Sequence, residues 1–262
     1  MIDPNEKRAH IRAALPALRD LVSSCRACGR ACGANRMAGA KGACGAGLAN
    51  GEHARWQAAV PHFGEEPMLV GKGGSGTVFF SHCTMGCIFC QNWQISHEGE
   101  GREGDASELA AAFLGLQSQG VENINLVTPT QYILPIVLAL ELAYAQGLAL
   151  PVVYNTNGYD AEALIALPDG IVDIWLPDLK YMDADTARQL SRAPDYPATA
   201  QAALRAMWRR TGPLRLENNV ATRGVILRHL ILPEDLAGSY ALLLWLRDEG
   251  MTEITLSLMS QY

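Results

Sequence analysis

Residues 77–90 read Thr77-Val78-Phe79-Phe80-Ser81-His82-Cys83-Thr84-Met85-Gly86-Cys87-Ile88-Phe89-Cys90. An apolar β-type run, Thr77–Ser81, passes directly into three closely spaced cysteines. The C-x3-C-x2-C triplet therefore sits on a loop leaving the C-terminal end of a strand. Iron–sulfur clusters are usually held by four thiolates. Cys83, Cys87 and Cys90 alone leave one iron of a 4Fe–4S cubane with an open position, which marks chemistry rather than scaffolding. Gly86 lets the backbone pass close to a cluster, and Phe89 supplies an apolar shield beside the third ligand. The alternative is three cysteines of an ordinary core. The polar, glycine-bearing loop argues against it.

From this stretch onward, strand and helix patterns alternate. Strands are expected at Thr77–Ser81, Asn123–Val127, Pro151–Asn155, Ile171–Leu176, Val225–Leu232 and Glu253–Leu258. Asp105 and Glu108 form a capping-box pattern, with Leu109, Phe113 and Leu116 following on one helical face. Further helices are expected at Gln131–Gln146 and Glu234–Arg247, with a crossover at Ala184–Arg210 broken at Pro194 and Pro197. Six strands with intervening helices imply an α/β fold on a parallel sheet. No helix follows Glu253–Leu258. Five covering helices are expected, with the sixth strand an exposed edge. The tail Met259–Tyr262 is then expected at the C-terminal end of that strand, near the open side of the sheet.

Upstream, residues 1–22 pattern as a helix with Ile11, Leu15, Leu18 and Leu21 on one face. Residues 23–76 are rich in Gly and Ala and show little periodicity. Apolar burial alone is a weak basis for such a segment. It carries Cys25-x2-Cys28-x3-Cys32-x11-Cys44. Four thiolates enclose a tetrahedral zinc or a cubane, and the spacing leaves both open.

With 262 residues, 49% of them hydrophobic, the chain suits one large α/β domain with a small appendage. A net charge of −6 leaves no general nucleic-acid footprint. The N-terminus lacks an apolar signal region, and no apolar run reaches the roughly 18 residues of a membrane span. A cytoplasmic location is expected. Seven cysteines then point to metal or redox chemistry rather than disulfides.

Polar residues recur where the expected strands end. In parallel α/β sheets that is where functional groups lie. The second strand runs into Thr128-Pro129-Thr130-Gln131, the third into Asn155-Thr156-Asn157-Gly158-Tyr159, and the fourth into Pro177-Asp178-Leu179-Lys180. The fifth contains Arg228-His229. Each alone is compatible with turn or cap chemistry. The repetition beside the cysteine triplet is not. His62 and Glu65-Glu66, ahead of the first of these strands, either line a substrate mouth or form a solvated loop.

The triplet resembles the signature of the radical S-adenosylmethionine (SAM) superfamily. With His62–Pro67 and Asn125–Thr130 added, the chain is similar from about Cys25 onward to pyruvate formate-lyase activating enzyme and its uncharacterised relatives with an N-terminal four-cysteine motif. The resemblance implies a partial (β/α)6 TIM-like barrel over residues 77–262, preceded by a helix and metal-binding segment over residues 1–76. It implies a 4Fe–4S cluster on Cys83, Cys87 and Cys90. SAM is cleaved there to a 5′-deoxyadenosyl radical that abstracts hydrogen. Asp178-x-Lys180 matches the family's Asp-x-Lys, with Lys180 facing the SAM carboxylate. Asn155-Thr156-Asn157-Gly158 resembles its Asp-Thr-Asn-Gly, with Asn155 in the Asp position. Thr128 and Thr130 stand where the activating enzymes carry Gly-Gly-Glu, so hydroxyls and carbonyls must replace a carboxylate at the SAM ammonium.

The implied activity is that of an oxidoreductase activating a glycyl radical enzyme. It uses an electron donor such as flavodoxin or ferredoxin and a protein substrate. Modification of a small molecule, a peptide or RNA is the alternative within radical chemistry. Outside it stands an iron–sulfur electron-transfer or scaffold protein that does not cleave SAM.

Overall fold

The structure is a computed structural model in which residues 3–47 and 51–260 are described. Helix α1 spans Pro4–Ser23, followed by strand β1 (Ala54–His62), the short helix α2 (Pro67–Val70) and β2 (Ser75–Phe80). Next come α3 (Trp93–Ser96), β3 (Arg102–Gly104), α4 (Ala106–Ser118), β4 (Ile124–Val127), α5 (Ile133–Ala145) and β5 (Val152–Thr156). Then follow α6 (Glu162–Ala166), β6 (Ile174–Pro177), α7 (Ala184–Ser191) and α8 (Tyr196–Thr211). The last elements are β7 (Arg215–Glu217), β8 (Val220–Leu230), α9 (Ser239–Asp248) and β9 (Thr255–Met259).

Strands β2, β4, β5, β6, β8 and β9 pair in parallel in that order. These are the six strands read from the sequence. On the β2 side, β1 pairs antiparallel to β2, and β3 antiparallel to β1. β7 pairs antiparallel to β8. The sheet does not close, so the fold is an α/β partial barrel.

Both faces of the sheet are covered, which explains its continuous apolar strands. On the concave face Val153, Ile174, Leu176 and Ile226 pack against Leu69 of α2, which closes the floor. On the other face Val152, Tyr154, Trp175 and Leu227 pack into the main core with α4 and α5. Helix α4 carries the expected capping box. Asp105 Oδ1 accepts from the Ser107 and Glu108 amides, each at 2.9 Å, and Glu108 Oε2 accepts from the Asp105 amide at 3.1 Å. Helix α1 buries Ile11, Leu18 and Leu21. It is pinned by Lys7, 1% exposed, which pairs with Asp173 and donates to the Ile171 carbonyl at 3.1 Å.

Several boundaries differ from the sequence reading. Residues 23–76 contain a nine-residue strand, β1. Its weak alternation hid it, as did Pro61, which sits near its end. Ile171 and Val172 precede β6 because their amides bond the Pro168 carbonyl in a turn. β8 begins five residues earlier than expected, where it meets β7. Glu234 and Asp235 are left-handed (φ 54° and 55°), so α9 starts at Ser239. Pro197 lies in the first turn of α8, where a missing N–H is harmless, and starts that helix rather than breaking it. Arg192, left-handed, ends α7. Gly86 has room: an added Cβ would meet nothing closer than the Ser191 carbonyl at 4.0 Å.

Five helical crossovers join the six parallel strands, the fourth split into α7 and α8. Among the described residues β9 pairs with β8 alone, and Leu258 is exposed. Gln261 and Tyr262, the end of the expected tail, lie outside the described residues.

Candidate active site

A cavity of about 280 Å³ opens at the C-terminal ends of the parallel strands. The loop after β2 brings Cys83, Cys87 and Cys90 to its wall. β4 brings Thr128, β5 brings Asn155 and Asn157, and β6 brings Asp178 and Lys180. Thr130 is not brought there. It is buried behind β4, where its hydroxyl donates to Asp160 Oδ1 at 2.6 Å.

Each sulfur of the triplet has a polar neighbour. Cys83 Sγ accepts from Asn157 Nδ2 at 3.3 Å and from the Met85 amide at 3.4 Å. Cys87 Sγ accepts from Ser191 Oγ at 2.9 Å, and Cys90 Sγ lies 3.1 Å from Ser96 Oγ. Burial, reinforced by the neighbouring Cys87 sulfur, pushes the Cys83 thiol up to about 12. Metal ligation reverses this, because a coordinating thiol is deprotonated. Hydrogen-bond donors on thiolate sulfurs tune an iron–sulfur cluster. A one-loop set of three such sulfurs therefore fits a cluster with an open iron.

Lys180 Nζ lies 2.5 Å from Asp178 Oδ2, with both side chains under a fifth exposed. Burial works against the ammonium, but Asp178 and the Cys87 sulfur outweigh it, so Lys180 is held above its ordinary pKa. The cavity thus offers a cation, a carboxylate and the neutral amides Asn155 and Asn157 beside the cysteines. That set suits an amino acid headgroup.

Three residues missed in the sequence hold these strand ends. Gln131 Nε2 reaches the Ser81, His82 and Thr128 carbonyls at 3.0, 3.1 and 2.9 Å. It thereby ties the β2 and β4 ends, where His82 and Thr128 take left-handed backbones (φ 66° and 56°). Such strain, about 1–3 kcal/mol per residue, persists only where surroundings enforce it. Tyr196 OH accepts from the Lys180 amide at 3.0 Å and lies 2.8 and 3.1 Å from the Asn157 and Asp178 carbonyls. It stitches the β5 and β6 loops together. Asp160, fully buried, takes the Thr130 hydroxyl and, at 2.5 Å, the Thr156 hydroxyl. Burial raises its pKa. Only Gln131 carried a signal, its place within Thr128–Gln131.

Arg228 lines the cavity. Its Nε and Nη2 donate to the two oxygens of Glu66, each at 2.7 Å, and Nη2 also pairs with Glu65. The Glu65 and Glu66 side chains are under a tenth exposed and turn inward onto Arg228, while Phe63 beside them is exposed. Burial opposes the Glu66 charge, but Arg228 outweighs it and holds the carboxyl below its ordinary value. His62 packs edge-on against Phe79, with centroids 5.7 Å apart.

The N-terminal cysteines lie beside the barrel. The Cys28 segment bridges Asp160, and the Gly29 amide donates to the Tyr159 carbonyl at 3.0 Å. Cys25 and Cys28 are buried, Cys44 is half-buried and Cys32 is exposed. Among the described residues no three His, Cys, Asp or Glu side chains are grouped as ligands of a single metal ion.

The cysteine triplet thus lies at the mouth of an open parallel α/β barrel, beside polar groups from three strand ends. The chain belongs to the radical SAM superfamily, whose family model matches residues 77–209, half of the chain. Membership implies a 4Fe–4S cluster and SAM as co-substrate. An uncharacterized protein of Methanocaldococcus jannaschii is 29% identical over 184 residues, covering 67% of this chain and 48% of the relative. The chain thus spans about half the length of that curated relative. Among the described residues no helix is long and apolar enough to cross a membrane.

Proposed function

We propose that this radical SAM enzyme activates a partner by placing a radical on one of its glycines. One observation carries the reading. The triplet, Asn155-Thr156-Asn157-Gly158 and Asp178-x-Lys180, the motifs behind the resemblance to glycyl radical activating enzymes, converge on a single cavity lined by Cys83, Cys87, Cys90, Asn155, Thr156, Asn157, Asp178 and Lys180, with the Gly158 amide donating to the Thr156 hydroxyl behind it. Cys83, Cys87 and Cys90 hold the cluster. When bound there, cluster and SAM supply a 5′-deoxyadenosyl radical. Lys180 pairs with the SAM carboxylate, with Asp178 keeping the ammonium charged. Asn155, Asn157 and Thr128 offer neutral acceptors to the SAM ammonium and ribose. Thr130 acts from behind, through Asp160. Phe79, Phe80 and Val127 line the cavity with apolar surface and exclude water from it. Helix α1 and the cysteine-rich stretch after it form a metal-binding segment in which Cys25, Cys28, Cys32 and Cys44 hold zinc or an iron–sulfur cluster, and the barrel begins with β1 and α2, earlier than the expected boundary at residue 77. Electrons come from a flavodoxin- or ferredoxin-type donor in the cytoplasm.

The test is anaerobic incubation of the reconstituted enzyme with SAM, a reductant and a glycyl radical enzyme of the pyruvate formate-lyase type, read by electron spin resonance. A glycine-centred radical on the partner is expected. SAM cleavage that leaves no radical on any such partner would move the substrate to a small molecule, peptide or RNA.

A further inference from the structure

Arg36, in the cysteine-rich segment, is a buried charge that lies away from the catalytic cavity. It is 8% exposed. Its Nη2 donates to Cys44 Sγ at 3.0 Å and its Nη1 to the Ala46 carbonyl, while the buried Nε has no partner. Its charge faces the sulfurs of Cys44 and Cys25, and no carboxylate of the described residues pairs with it. Gly42 makes room for this packing. A Cβ there would lie 2.2 Å from Arg36 Nη2 and 3.0 Å from Cys32 Sγ.

A guanidinium is charged at any working pH. Burying it without a counter-charge is strongly unfavourable. Four neutral thiols supply none. Four thiolates around a divalent ion, or around a cubane, carry a net negative charge, and binding releases the thiol protons. The four sulfurs are not drawn to the spacing of a single-ion ligand set, which leaves the closing of the site to the metal. The charge of Arg36 is already in place for it.

The same segment touches the catalytic loop. Arg30, between Cys28 and Cys32, donates from Nε to the Thr84 carbonyl and from Nη2 to the Ser191 carbonyl, each at 3.1 Å, and from Nη1 to the Arg192 carbonyl. Thr84 follows Cys83 in the chain. Ser191 bonds the Cys87 sulfur, and the neighbouring Leu190 carbonyl takes the Ile88 amide at 3.0 Å. Gly45, next to Cys44, lies against the His82 ring.

We propose that Cys25, Cys28, Cys32 and Cys44 bind metal as an anionic tetrathiolate centre balanced by Arg36, and that Arg30 ties this centre to the loop of the catalytic triplet. Arg30 and Arg36 are positioning residues. The proposal rests on the metal-binding reading of these cysteines and is independent of the substrate.

The full chain carrying Cys83→Ala, Cys87→Ala and Cys90→Ala isolates the N-terminal centre. Zinc alone, titrated against a chromophoric chelator, reports its affinity. Adding Arg36→Gln lowers zinc affinity by at least about tenfold, the scale of losses at residues that support metal ligands, and Arg36→Lys restores most of it. Unchanged affinity in Arg36→Gln overturns the charge balance. Should that variant fail to fold, Cys32→Ser at the exposed ligand serves instead, and full retention of zinc by it overturns the four-thiolate set. A folded triple-alanine chain that binds neither zinc nor a reconstituted cluster overturns the metal centre itself. For the tie, Arg30→Ala in the otherwise native chain keeps both metal contents while hydrogen exchange at the Ile88 amide accelerates. Unchanged exchange overturns it. None of these readouts depends on SAM cleavage, so they fail separately from the radical reading.

Discussion

Replacing Tyr196 with Phe removes one oxygen and tests how the two SAM-facing loops are held. The Tyr196 hydroxyl accepts the Lys180 amide at 3.0 Å and serves the Asn157 carbonyl at 2.8 Å and the Asp178 carbonyl at 3.1 Å. Tyr196 is fully buried, so no water replaces that oxygen. The variant leaves the Lys180 amide without its acceptor and removes the donor from both carbonyls. An unsatisfied buried group costs about 1–3 kcal/mol, so a loss of about 2–4 kcal/mol in unfolding free energy is expected. Gly158 sharpens the argument. With φ 79°, a Cβ there would lie 2.1 Å from the Asp178 carbonyl, so the loops have no slack to absorb the change. Urea unfolding measures the stability loss and anaerobic calorimetry measures SAM affinity. Both fall in Tyr196→Phe. Tyr181→Phe, which loses the exchange with Ser191 Oγ at 2.8 Å and the hydroxyl's contact with the Cys87 sulfur but no tie between the β5 and β6 loops, changes SAM affinity less. A Tyr196→Phe chain with wild-type stability, or a destabilised one with unchanged SAM affinity, would refute the reasoning.

Other outcomes follow from the same geometry. Lys180→Ala weakens SAM binding by about 1.5–3 kcal/mol, the loss of one charge-assisted contact, while cluster iron stays constant; calorimetry with matched iron analysis checks this. Lys7→Met strands Asp173, 2% exposed, whose Oδ2 also takes the Val152 amide at 2.7 Å. Breaking such a pair costs about 3–5 kcal/mol, and adding Asp173→Asn recovers part of it in denaturant unfolding. His229 holds the Leu179 carbonyl at 2.6 Å and Ser239 Oγ at 2.9 Å, and burial lowers its pKa. Below about pH 6.5 the unfolded chain takes up a proton that the folded chain does not, so stability drops as pH falls towards the folded pKa. Melting temperature against pH should show a shallower fall in His229→Gln, with a residual slope from His82, which is shifted the same way.

The parallel strands were legible because each is an apolar run bounded by turn chemistry, and α4 because Asp105 and Glu108 mark its start. β1 was not legible. It earns its place by pairing with β2, a non-local contact that weakly alternating residues cannot advertise. The cysteine triplet carried the site by spacing alone, and Asn157, Asp178 and Lys180 followed from their positions at strand ends. Tyr196 was hidden because its role comes from where α8 begins, across the sheet from nothing near it in sequence. Thr130 shows the opposite limit. Two residues from Thr128, it faces away from the cavity, because the chain turns sharply after β4. Arg228 gave a signal as a charge within an apolar strand, but its partners Glu65 and Glu66 lie over 160 residues away in the chain.

The most direct measurement is 5′-deoxyadenosine formation from SAM by the anaerobically reconstituted chain supplied with a strong reductant. The native chain should form it, and a reducible 4Fe–4S spectrum should change when SAM is added. The chain with Cys83, Cys87 and Cys90 all replaced by Ala should form none while remaining folded. Formation of 5′-deoxyadenosine by that variant, or its absence from a native chain carrying a reduced cluster, would contradict the assignment of this cavity as the radical SAM site.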